Sequence, residues 1–233
     1  MSDPEPRVAW GILRLVAAGA CAAAILFAAI VVLVSLLQPS LDPYHDTVSL
    51  LVRGRDGVLV AAMMVVAGVA IMAMAAALHI TMQRTFWAQI ATWALGLGGL
   101  QVLVMGFFPT DPTVIPDTVI GSIHAVLSGV GLVMLPISFV ILSWRFHRDP
   151  RWRAVRWPAH AVAWLSVATS LVYGVLSFID AHTTLLRPVW DGLAERVLIG
   201  TIIAWLLTAS LRLWHLSHRS MRLKARPIAL PVA

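Results

Sequence analysis

The chain has 233 residues, of which 60% are hydrophobic and only 12% charged, with a net charge of +6. A soluble domain carries about 25% charged residues, and it does not repeat apolar runs long enough to cross a hydrocarbon core of about 30 Å. A soluble enzyme or nucleic-acid-binding module is thereby excluded, and a multi-pass integral membrane protein is implied. The single cysteine, Cys21, lies among alanines in the first apolar run and rules out an intramolecular disulfide or a thiolate metal cluster.

The N-terminal stretch MSDPEPRVAWGILR leads into an apolar run of about 25 residues, too long for the apolar core of a cleavable signal. It reads as a retained first helix. Six spans are expected, over 10–37, 58–82, 86–108, 121–145, 159–180 and 193–215. Helix is the default because each run must satisfy its own backbone hydrogen bonds in lipid, and the alternation of a membrane barrel is absent. The expected fold is an all-α membrane protein, a bundle of six transmembrane helices. Residues 1–9 form a short N-terminal segment, 10–215 the transmembrane domain and 216–233 a basic tail.

The connections differ in character. Loop 38–57 is long and polar, loop 83–85 is a tight turn, and loop 109–120 has three prolines and no basic residue. Loop 146–158 and the tail are strongly basic. Of the 17 lysines and arginines, only Arg53, Arg55, Arg187 and Arg196 fall on the opposite side. The positive-inside rule then places both termini in the cytoplasm and the protein in the cell inner (plasma) membrane. Membrane lipids are the expected partners, with anionic headgroups at the basic loop and tail; no nucleic-acid partner is expected, and the oligomeric state is left open.

Tryptophans 10, 87, 144, 152, 157, 190 and 214 fall near predicted helix ends, as in an interfacial aromatic belt. Gly121, Ala125 and Gly129 recur at four-residue spacing, which permits close helix approach. Pro136 is expected to kink the fourth helix, with a neighbouring helix satisfying the carbonyl it frees. No repeat of three plus three helices is legible, and polar residues do not continue through the membrane centre, so a small transporter is the third choice of function.

Acidic residues concentrate on the outer side, where four patches fall at one membrane level. They are DPYHDTVS (42–49), GFFPTDP (106–112) leading to GSIH (121–124), IDAH (179–182) and DGLAER (191–196). Ionisable groups at membrane depth are costly and point to function. Asp111 is held in a stiff turn between Pro109 and Pro112; it is either a turn cap or a site residue. His124 is either a buried histidine bonded to a loop carbonyl or an acid–base group. Asp191 and Glu195, four residues apart, share a helix face and either complement the helix dipole or serve a site. Arg196 opposes that dipole and is expected to pair with Asp180, Asp111 or a lipid phosphate. Asp46, Thr47 and Ser49 are placed to cap a short interfacial helix, with Tyr44 and His45 facing headgroups. A metal at His45, His124 and His182 lacks any supporting spacing, and haem between His79 and His160 lacks anything that makes them face, so neither a metal nor a cofactor is assigned.

The order of DPYHDTVS, GFFPTDP, GSIH and GLAERVLIG (192–200) resembles a prokaryotic membrane family, domain of unknown function 998, over roughly residues 10–215. The resemblance implies six helices, a polar first outer loop, an FPTD turn and a following histidine. It falls on Tyr44, Asp46, Ser49, Pro109, Asp111, His124, Glu195 and Arg196 and carries no established activity. Two functional classes remain. One is a protein that holds a lipid-like ligand or a partner in a polar outer pocket made by Tyr44, Asp46, Ser49, Asp111, His124, Asp180 and Arg196. The other is an intramembrane hydrolase or transferase acting on lipid, with His124, Asp111 and Glu195 as catalytic candidates.

Overall fold

The computed structural model describes residues 5–112, 117–182 and 190–225, with side chains from Ala9 to His218 within them. Arg187 and Arg226 lie outside the described residues. Six α-helices follow one another: α1 (Glu5–Leu37), α2 (Gly57–Thr81), α3 (Phe86–Met105), α4 (Val119–Arg148), α5 (Arg156–His182) and α6 (Asp191–Ala225). Two short 3-10 helices, Val48–Arg53 and Pro150–Trp152, lie in the first and fourth connections. All six α-helices are long and apolar enough to cross a membrane.

The helix bounds differ from the hydropathy runs for local reasons. Helix α3 stops at Met105, not 108. There the N–H groups of Gly106, Phe107 and Phe108 bond to carbonyls three residues back, at 3.2, 2.9 and 3.2 Å, tightening the chain into a turn. Helices α4, α5 and α6 extend beyond their apolar runs, because nothing in Arg, His and Lys side chains breaks a helix once it leaves hydrocarbon. The connection between α4 and α5 therefore shrinks to 149–155. Two N-termini carry threonine caps: Thr85 accepts from Ala88 N–H at 3.3 Å, and Thr118 from Gly121 N–H at 3.0 Å.

Each helix packs on its neighbours in the chain, and α6 closes on α1, so the six form a ring; α4 and α6 barely touch across it. The start of α1 and the end of α6 share one end, where the Arg14 guanidinium lies 5.6 Å from the Trp214 ring centre. This is the basic end; the loops 38–56 and 106–118 mark the acidic end. The tightest helix approach is between α2 and α3. A Cβ on Gly68 would lie 2.5 Å from the Leu103 nitrogen and 2.6 Å from the Gly99 carbonyl oxygen. The spacing of Gly121, Ala125 and Gly129 has another use. Gly121 abuts the Asp111 carboxylate rather than a helix, and Gly129 has nothing within 4 Å of where a Cβ would stand.

The basic half of the ring is plugged. Phe139 and Trp205 stack at 4.3 Å, Phe146 and Trp152 at 4.1 Å, and all four side chains are fully buried. Trp205 donates from its indole nitrogen to Ser143 Oγ at 2.8 Å, and Ser143 donates to the Ala159 carbonyl at 3.1 Å. Trp152 is thus a core residue, not part of the interfacial belt: its aromatic face is drawn into the stack on Phe146. Trp87, Trp144, Trp157 and Trp190 are exposed as expected. The basic loop is also partly structural. Arg151 pairs with Asp149 at 2.6 Å and donates to the Thr81 carbonyl at 2.7 Å, while Arg212 donates to the Arg151 carbonyl.

Helix α4 runs unbroken through Pro136. Proline has no N–H, so the Leu132 carbonyl loses its helical donor. The Ser170 hydroxyl on α5 donates to that carbonyl at 2.5 Å, the compensation expected from a neighbouring helix. Ser170→Ala should cost about 1–3 kcal/mol, as for an orphaned buried acceptor. Measured by thermal unfolding in detergent, the cost should shrink in the Pro136→Ala background, where residue 136 regains its N–H. Equal costs in both backgrounds would refute this role.

Candidate functional site

Among the described residues no stack of aromatic rings fills the acidic half of the ring, although Tyr173 lines its space. That half is roofed by two loops that are sewn to helix ends. In the first loop, Asp42 accepts from Tyr44 N–H at 2.8 Å and Asp46 accepts from Asp42 N–H at 2.6 Å, so both carboxylates fold the loop upon itself. The loop then docks on the start of α6. Leu193 N–H donates to the Tyr44 carbonyl at 3.0 Å, and Arg196 donates to the Asp46 carbonyl at 2.6 Å. The Glu195 carboxylate accepts from Val48 N–H and, at 2.9 Å, from the Ser49 hydroxyl. A Cβ on Gly192 would stand 2.4 Å from the Asp46 carbonyl oxygen, so only glycine permits this seat.

Two expectations change here. The Val48–Arg53 helix is not capped by its own Thr47, which makes no side-chain cap bond; Glu195, brought from 147 residues away, takes the N-terminal amide instead. The Arg196 guanidinium is turned to the carbonyls of Asp46 and Gly192 rather than to a carboxylate.

The second roof is organised by Asp111, which is 6% exposed. Its carboxylate accepts from Thr118 N–H at 2.8 Å, Asp117 N–H at 2.9 Å and the Thr118 hydroxyl at 2.9 Å. The Thr118 amide first of all, with the Thr118 hydroxyl, the Asp117 amide and the nearby Arg53, holds the Asp111 carboxyl below its ordinary range against the opposing effect of desolvation. Arg53 lies 3.8 Å from Asp111 and donates to the Thr110 carbonyl at 2.8 Å, tying one roof to the other.

One turn into α4, His124 is 3% exposed. Its Nδ1 stands 2.6 Å from the Phe108 carbonyl oxygen. A carbonyl only accepts, so Nδ1 carries the proton and Nε2 of the neutral ring offers a lone pair. That Nε2 is buried and has no partner among the described residues.

Beneath the roofs lies a cavity of about 360 Å³. Asp46, Ser49, Asp111, His124 and Asp180 line it, as do Asp191, Ser128, Tyr173 and Ser177. Below it is a mainly apolar cavity of about 140 Å³, which shares Ser49, Ser128, Leu132 and Tyr173 with the first and has Glu195 and Gln101 in its wall. A third, wholly apolar cavity of about 100 Å³ shares Phe27, Val102, Leu135, Ile199 and Ile202 with the second and continues to Ile203 and Leu206. The three form a column that is polar at the acidic end and apolar towards the middle of the ring.

The fold thus brings together five of the seven residues assigned to the outer pocket (Asp46, Ser49, Asp111, His124 and Asp180), with Asp191 beside them and Glu195 just below. It does not bring in Tyr44, 53% exposed with its ring 5.9 Å from Trp190, nor Arg196. His182 turns back to the Phe178 carbonyl at 2.9 Å. Among the described residues no three His, Cys, Asp or Glu side chains group to hold a metal. His79 bonds to Thr92 at 2.9 Å, and His160 accepts from Trp164. Sequence reasoning missed Tyr173 and Ser177. With Asp180 they fall at i, i+4 and i+7, a polar stripe on α5 that helical spacing makes legible.

A family model described as a protein of unknown function (DUF998) matches residues 21–212. No curated protein and no solved structure matches the chain.

Gly121 lets the Asp111 carboxylate reach its donors, because a Cβ there would lie 2.0 Å from Asp111 Oδ2. Gly121→Ala should destabilise the second roof by about 1–3 kcal/mol, as overpacking does, and raise proteolysis within loop 106–118. Asp111 is the depressed-pKa case. Its contribution is fully present above the unfolded carboxyl value near 4 and is lost as pH falls through the lower folded value. Hydrogen exchange at the Thr118 amide should therefore rise only below about pH 4, and in Asp111→Asn that acid step should vanish. An unchanged step in the variant would assign it elsewhere.

Proposed function

The chain belongs to the DUF998 family of membrane proteins of unknown function, and on that footing we propose that it holds a single-chain amphiphile inside the helix ring. The ligand's head sits in the polar cavity and its tail in the apolar column. The observation that carries this reading is the ordered change of lining along the three adjoining cavities, from carboxylates, hydroxyls and histidine to alanine, isoleucine and leucine. Such a gradient matches an amphiphile and neither a free ion nor a wholly apolar molecule.

Binding is favoured over lipid hydrolysis or transfer. The two carboxylates expected to serve as partners of His124 are spent on backbone. Asp111 closes its own loop, and Glu195 caps the Val48–Arg53 helix. A catalytic pair needs one of them within reach of His124 and free to exchange a proton.

The basic end is taken to face the cytoplasm and the acidic end the outer leaflet of the plasma membrane, since lysine and arginine are retained on the cytoplasmic side. Arg148 and Arg153 are exposed there and suit anionic headgroups. Arg145, Arg151 and Arg212 are engaged with protein or buried and contribute less.

Ile202 lines both apolar cavities. Ile202→Trp should fill the column and reduce copurified single-chain amphiphile, quantified by mass spectrometry of lipid extracts, by about tenfold, the factor equivalent to ~1.4 kcal/mol. Leu211→Trp, on the exposed side of the same helix, should leave it unchanged. Equal amphiphile in all three proteins would overturn the reading.

A further inference from the structure

The head chamber is roofed by two loops, yet it is not enclosed. An amphiphile held there needs a way in, and the seam between α4 and α5 supplies one, an inference that rests on the amphiphile reading above. The two helices run antiparallel. Two hydrogen bonds fix their register: Ser143 Oγ donates to the Ala159 carbonyl at 3.1 Å, and Ser170 Oγ to the Leu132 carbonyl at 2.5 Å. Over that length the seam is closed. The buried residues of α5 are Ala159, Ala163, Ser166 and Ser170, three or four apart and so on one face.

Beyond Ser170 the same face continues with Tyr173, Gly174 and Ser177, which are only half-buried and line the head chamber. By the same register, Gly129, Ser128 and Ala125 of α4 stand opposite them, and these line the chamber too. Among the described lining residues only Pro112, Ala125 and Gly129 are exposed. A Cβ on Gly129 or on Gly174 would have nothing within 4 Å. Two helices that are sewn together in the basic half thus part in the acidic half, and the chamber wall is incomplete between them. The stretch from Ser170 to Ser177 is about 10 Å of helix at 1.5 Å per residue.

The rim decides where this gap leads. Val126 and Val130 flank it on α4, and Leu171, Val175 and Phe178 on α5, each more than 40% exposed. An apolar surface of that extent packs on acyl chains rather than water. We infer that the ligand enters and leaves the chamber sideways, through the α4–α5 gap, from the outer leaflet. Its tail stays in hydrocarbon throughout. Its head slides past the hydroxyls of Ser128 and Ser177, each able to donate and to accept a hydrogen bond. Entry through the roofed end would carry the tail through water, which the hydrophobic effect opposes. The class of ligand is thereby narrowed to single-chain amphiphiles already resident in the bilayer.

The test uses the full chain in phosphatidylcholine nanodiscs. Deuterated palmitoyl lysophosphatidylcholine is added, and bound probe is followed in time by native mass spectrometry. Ile202→Trp discs give the level due to partition into lipid alone. Gly129→Trp sets an indole in the gap. Gly19→Trp sets the same indole on the exposed side of α1, where space is equally open. Gly129→Trp should approach its plateau about tenfold more slowly than wild type, at unchanged thermal stability, and preloaded probe should leave it more slowly by a similar factor. Gly19→Trp should exchange as wild type does. An indole that merely filled the chamber would lower the plateau without slowing the approach to it. That result, or wild-type exchange in Gly129→Trp, overturns the lateral route and leaves the amphiphile reading intact. If wild type holds no more probe than Ile202→Trp, the amphiphile reading falls and the route with it. Should Gly129→Trp fail to fold, Gly174→Trp on the facing helix, where space is also open, decides the question by the same time course.

Discussion

The Glu195 carboxylate is the interaction on which the acidic end depends. It accepts from Val48 N–H and Ser49 Oγ, and so fastens the first loop to the start of the last helix. Together with the bonds from Leu193 N–H and Arg196 to the Tyr44 and Asp46 carbonyls, it sets the first roof over the cavity. Hydrogen bonds to a charged group contribute about 1.5–3 kcal/mol each, and the alternative is a buried carboxylate with no donors, which is far worse in hydrocarbon. Glu195 and Asp46 thus have structural work first. Their presence beside a cavity follows from holding the roof that makes it.

The two halves of the ring are built from different materials. The basic half is filled by Phe139, Phe146, Trp152 and Trp205 stacked face to face, and pinned below by Arg151 and Arg212. The acidic half has small residues, such as Ala125 and Gly129, facing the space that an aromatic residue would fill. A ring whose members pack mainly on their neighbours leaves room along its axis unless side chains occupy it. Here they do so at one end only. The polar loops then close the other end without filling it, and a chamber of graded polarity results.

Six helices were legible because lipid imposes a minimum apolar run and the sequence has six. The level of the polar patches was legible too, since charge bias orders the loops. Pairings across the chain were not. Nothing near Val48 announces that its amide bonds to a residue 147 positions on. Trp152 reads as interfacial from its place near a predicted helix end, yet an aromatic stack buries it. Tyr44 and Arg196 share motifs with site residues but point elsewhere, because a motif fixes proximity along the chain and not the direction of a side chain. Tyr173 was hidden in an apolar run whose helical stripe, Tyr173, Ser177 and Asp180, becomes evident only when read at i, i+4 and i+7.

The central claim is that the ring has an occupied interior. A density map of the full chain in native lipid, by electron microscopy with a rigid antibody fragment as a fiducial, tests it most directly. The account predicts elongated density along the axis, from His124 at the acidic end to Ile203 near the middle, with its wider end among Asp46, Asp180 and Asp191. An empty axis, with lipid density confined to the outer surface of the helices, would contradict it.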